Sequence, residues 1–116
     1  MRIVVSEIAL EALLVYGGQD PERSQRVSHT LQTLAEDGHD RQVLKLNGSP
    51  RPIWTQPLDQ NTVIYFTYGQ GTDALELRIA HVGPPATDPK SDLRRVLYAA
   101  GDVPYQEIPD LSLIHI

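Results

Sequence analysis

The 116-residue chain has no cysteine. That removes a disulfide framework, a thiolate zinc site and a cysteine nucleophile together. No apolar run approaches the ~18 residues that span a bilayer. The N-terminus, Met1–Glu7, has too short an apolar stretch for a signal peptide, and Glu7 breaks it; with no cysteine, the cytoplasm is the expected location. Positive charge is also scarce: 10 Lys and Arg against 15 Asp and Glu leave a net charge of −5. The surface as a whole does not attract nucleic acid, and any RNA or DNA binding must come from a local basic patch. There is no internal repeat and no low-complexity tract. What is present, 41 % apolar and 22 % charged residues, is ordinary for a folded chain and argues against wholesale disorder. The length suits one buried core.

The order of elements is more informative. Arg2–Val5 is β-branched and reads as a first strand. Ser6 can cap a helix over about 7–16, with Leu10, Leu13 and Leu14 on one side and Gly17-Gly18 as the stop. Asp20-Pro21-Glu22 restarts a helix: Asp caps, Pro takes the first helical position and Glu complements the dipole. Val27, Leu31 and Leu34 share a face of this second helix, which ends near Asp37-Gly38. From Asp40 the period changes from 3.6 to 2. Strands are expected at Gln42–Asn47, Ile53–Leu58, Val63–Tyr68 and Leu75–Val82, with turns at Asn47–Pro50, Asp59–Asn61 and Gly69–Asp73. Their short links predict an antiparallel meander. The fold class is therefore α+β: an N-terminal helix hairpin packed on one face of an antiparallel sheet, over residues 1–85. Residues 86–116 form a C-terminal extension. Asp88-Pro89 starts a helix carrying Leu93, Val96, Leu97 and Ala100, and apolar Leu111–Ile116 is a candidate added strand.

This order, together with particular residues, resembles the RelE/ParE family of bacterial type II toxin–antitoxin toxins. The likeness lies in two N-terminal helices, then Val43-Leu44-Lys45-Leu46-Asn47-Gly48, Arg51-Pro52-Ile53-Trp54, Val63-Ile64-Tyr65-Phe66 and Leu75-Glu76-Leu77-Arg78-Ile79-Ala80-His81. It covers about residues 2–83. The ribonuclease branch of that family cleaves messenger RNA on the ribosome without a metal; the ParE-like branch inhibits DNA gyrase. Both are neutralised by a cognate antitoxin. The resemblance thus implies a growth-inhibiting toxin without a cofactor: first a RelE-like metal-independent mRNA endoribonuclease, and as alternatives a ParE-like non-catalytic binder of gyrase or another protein, or an inactive relative.

Metal-free RNA cleavage needs a base for the 2′-hydroxyl, cations at the phosphate and an acid for the leaving oxygen. If Leu44, Leu46, Ile64, Phe66, Leu75, Leu77 and Ile79 face the helices, alternation turns Lys45, Val63, Tyr65, Thr67, Glu76 and Arg78 to the other face. Arg51 is expected beside them. Lys45, Arg51 and Arg78 are then the candidate catalytic cations, with Tyr65 as a candidate substrate contact. Charged residues on the solvent side of a half-exposed sheet, with Glu76 and Arg78 as a surface ion pair, are the plain alternative. His81 matches the family's terminal strand and is the candidate acid or base. Its parity places it with Leu77 and Ile79 on the core face, and a bulge helped by Gly83 would turn it around. Trp54, the one tryptophan, packs in the core or stacks on a base. His29, His39 and His115 are not spaced for a metal site.

Three departures from the family stand out. The acidic charge opposes ribosome binding. Val82-Gly83-Pro84-Pro85 follows His81, where ribonuclease members often carry Arg or Tyr. The extension is unusual, and is expected to cover the open face, to replace part of the antitoxin or to build a homodimer.

Overall fold

The computed structural model describes residues 2–36, 42–44, 53–70, 75–85, 96 and 103–108. In chain order they form β1 (Arg2–Ser6), α1 (Glu7–Gly17), α2 (Pro21–Glu36), β2 (Gln42–Leu44), β3 (Ile53–Pro57), β4 (Val63–Gln70), β5 (Leu75–Gly83) and β6 (Tyr105–Glu107). β2 to β5 make the expected antiparallel meander. Two features of the sheet depart from the sequence reading. β1 lies parallel to β5, with Arg2 opposite Glu76 and Val5 opposite Ile79, so the sheet is mixed rather than wholly antiparallel. A parallel pair needs a long connection, and here the helix hairpin and three strands intervene. β6 then pairs antiparallel with the far side of β1, giving the order β2-β3-β4-β5-β1-β6. The strand expected at 111–116 lies outside the described residues. So does the helix expected from Asp88, except for Val96, which is helical.

The helix starts form as their caps dictate. Ser6 is extended, and its Oγ accepts the Ala9 N–H at 3.1 Å. The same hydroxyl donates to the Ala80 carbonyl at 2.7 Å, fixing the start of α1 to β5. The Gly18 N–H reaches the Leu14 carbonyl at 2.9 Å and closes the helix. Asp20 Oδ1 accepts the Arg23 N–H at 2.8 Å ahead of α2.

One face of the sheet carries the main core. Ala9 and Leu13 of α1 and Val27, Leu31 and Leu34 of α2 bury against Val5, Ile64, Phe66, Leu77 and Ile79. Period-two alternation sends Val63 and Tyr65 to the opposite face. There a second apolar cluster joins them to Ile53 and to Val96 of the extension, and Val96 is fully buried. The sheet is therefore covered on both sides at this point.

A polar joint ties the helix pair to the β3–β4 turn. The Tyr16 hydroxyl donates to Asp59 Oδ2 at 2.9 Å and accepts from the Arg26 guanidinium at 3.0 Å. Asp59 Oδ1 accepts the Asn61 N–H at 2.8 Å, and Arg23 lies over the Tyr16 ring at 5.0 Å. Burial pushes the Tyr16 hydroxyl above its ordinary value. Burial also acts to raise the Asp59 carboxyl, but the Asn61 N–H, the Tyr16 hydroxyl, the Thr62 backbone and nearby Arg23 outweigh it and hold that carboxyl below its ordinary value.

Candidate functional site

Of the four candidate residues that the structure describes, three lie on the face turned away from the helices. Thr67 lies opposite Arg78 and Tyr65 opposite His81, so Tyr65, Arg78 and His81 share this face. His81 reaches it through a bulge. Phe66 pairs with Ile79 and Tyr65 with His81, leaving Ala80 as the extra residue in β5. The slip reverses the parity that would have sent His81 to the core. Its ring lies 5.8 Å from that of Tyr65, tilted by 47°. Its Nε2 comes within 3.0 Å of where a side chain on Gly83 would begin, so the glycine leaves room for the imidazole.

These groups are not equally open. Tyr65 is fully buried, and its hydroxyl donates to the Pro84 carbonyl at 2.6 Å. His81 is 8 % exposed. The Arg78 side chain is 25 % exposed and sits beside Glu76, to which its Nε and Nη2 donate at 3.4 and 3.3 Å. Gly69 lies directly under that guanidinium, and a side chain there would collide with it. The hairpin turn was expected to begin at Gly69, but β4 continues through it.

The parallel pairing adds residues that the sequence reading did not join to the site. Arg2 Nη1 lies 3.6 Å from Glu76 Oε2, so Glu76 stands between two guanidinium groups. Arg2 also meets Glu107 of β6 at 3.3 Å. The Tyr105 ring, also from β6, lies 5.9 Å from the Arg78 guanidinium carbon. The result is a row of alternating charge, Glu107–Arg2–Glu76–Arg78, closed at one end by an aromatic face.

Trp54 is not part of this group. It lies opposite Phe66 and packs on the helix side of the sheet, edge-on to Tyr68 with ring centroids 6.5 Å apart. The candidate cations Lys45 and Arg51 lie outside the described residues. Among the described residues no helix is long and apolar enough to cross a membrane.

No protein-family model matches the chain, and no curated protein matches it in sequence. A solved structure described as a YoeB/ParE toxin from Agrobacterium tumefaciens superposes with a TM-score of 0.62 at 8 % identity. The match covers 73 % of this chain and 99 % of that one. The chain therefore has the RelE/ParE-type toxin fold, as the sequence resemblance implied. It also carries residues beyond the part that superposes on that toxin.

Proposed function

We propose that the chain is the toxin of a bacterial type II toxin–antitoxin pair. In this account it inhibits growth in the ParE-like manner, by binding DNA gyrase or another protein, rather than by cutting messenger RNA. The observation that supports this reading is how little of the candidate chemistry among the described residues is offered to a phosphate. A cleaving site must bring a base, a cation and an acid within reach of one substrate. Here Tyr65 is sealed from solvent and its hydroxyl bonded to Pro84, His81 is nearly buried, and Glu76 already balances the Arg78 charge. The net charge of −5 opposes approach to RNA. A row of alternating charge suits a protein surface of complementary pattern, where such groups set register and partner choice. A cognate antitoxin is the partner this role requires.

The test is DNA supercoiling by purified gyrase, titrated with the protein, beside primer extension on messenger RNA from translating extracts. The account expects supercoiling to be inhibited and the RNA to keep its 5′ ends. Gyrase that is untouched at large excess, together with freshly cut RNA, would overturn it.

One observation favours the RelE-like endoribonuclease as the second reading. The β5 bulge turns His81 to the face of Tyr65 and Arg78 instead of leaving it in the core. That reading predicts RNA cleavage that Arg78→Ala abolishes.

A further inference from the structure

We infer that β6 is a latch, which the chain closes over its own Arg78. Besides its pairing with β1, these contacts hold it. The Tyr105 ring lies 5.9 Å from the Arg78 guanidinium carbon. Glu107 pairs at 3.3 Å with Arg2, which on its other side meets the Glu76 that holds Arg78. The Ile108 N–H donates to the Ile3 carbonyl at 3.2 Å, just past the strand. β6 has three residues and, among the described residues, pairs only with β1. The Arg2 and Glu107 side chains are 46 and 58 % exposed. The segment entering the strand, Val103 and Pro104, borders an open cleft of about 420 Å³ against Ser6, Glu7 and Ile8. A short strand held by an exposed ion pair belongs to the low-stability end of local opening. β6 can therefore leave while β1 to β5 stay folded.

Opening removes the aromatic cover from Arg78 and the outer carboxylate from Arg2. The row of charge on the sheet then loses its one β6 member, Glu107, and the Tyr105 ring at its end. The latch holds this surface closed until a partner of mixed charge competes for Arg2 and Arg78. Its effect on growth rests on the toxin reading; the cover over Arg78 does not.

The experiment uses the full chain with Tyr105→Ala and Glu107→Ala together, and Tyr105→Phe as the variant that keeps the ring. Arginine modification by phenylglyoxal, read at Arg78 by peptide mass spectrometry, measures the cover. The protein level giving half-maximal growth inhibition measures the consequence. One half-buried cation–ring contact and one exposed ion pair predict roughly five-fold faster labelling in the double variant. Tyr105→Phe is expected to label like the wild type. Growth inhibition is expected at a correspondingly lower protein level. Unchanged Arg78 labelling in a folded double variant, shown by an unaltered thermal transition, overturns the latch. Faster labelling with an unchanged inhibitory level overturns its regulatory role and leaves the toxin reading standing. Faster labelling with no growth inhibition by any variant supports the cover and counts against the toxin reading.

Discussion

Thr67 shows how much a single position on this face constrains. It lies opposite Arg78 in the β4–β5 pair, is 1 % exposed, and its buried Oγ1 has no hydrogen-bond partner among the described residues. A buried hydroxyl left unsatisfied costs about 1–3 kcal/mol, and replacing it with an apolar group of the same shape removes that cost. Thr67→Val should therefore be neutral to stabilising by up to ~2 kcal/mol in urea unfolding; a clear loss would show that the hydroxyl has a partner in solution. The neighbouring residues differ in how far the sequence reveals them. Alternation alone sends Thr67, Glu76 and Arg78 to one face, because a strand's period of two is local. His81 has the wrong parity by the same rule, and only the extra residue Ala80 corrects it. Gly83 was the readable hint, since a small residue beside the ring permits the turn. Gly69 gave no hint of its use, because a glycine before a turn looks the same whether or not an arginine lies across it. Burial of Tyr65 was not readable either: it depends on Val96, some thirty residues further along the chain.

The elements divide along the same line between local and distant causes. Both helix starts were legible, because Ser6 and Asp20 act on N–H groups three residues away. Ser6→Ala should cost more than an ordinary cap, since the hydroxyl also holds the Ala80 carbonyl. A loss of about 1–3 kcal/mol is expected, against ~1 for a cap alone. Ser6→Asp would restore the cap but not the donor, and a full recovery of stability by that variant would contradict the double role. The pairing of β1 with β5 was not legible, because no local pattern encodes which strand will lie alongside another. The Arg2–Glu76 contact followed it out of view. β6 is three residues long, too short to show a period. The joint at Asp59 makes the helix pair sensitive to acid. Its carboxyl is held below its ordinary value, so the charged form is favoured in the folded state. That contribution is fully present above the ordinary aspartate range of about 4 and is lost as the pH falls through the folded-state value. The stability gap between wild type and Asp59→Asn should therefore be open at pH 7 and close as the pH falls below about 4. A gap that is constant across that range would show that Asp59 acts by shape rather than charge.

Across the whole molecule, a toxin-type fold is combined with a face that is largely shut. On the helix side the closure is the core itself. On the other side it comes from the extension: Val96 lies over Tyr65, and Tyr105 and Glu107 flank the Arg78 row. Of the three uses expected for residues 86–116, covering the open face is the one their described residues support. In the proposed account the acidic net charge and the compensated arginines suit a protein partner better than RNA. The most direct measurement is growth of a bacterial host after tightly induced expression, with RNA 5′ ends mapped by primer extension, for the wild type and Arg78→Ala. The account predicts arrest by the wild type without new RNA 5′ ends, weakened in Arg78→Ala. Arrest accompanied by new 5′ ends that vanish in Arg78→Ala would contradict it and establish the ribonuclease.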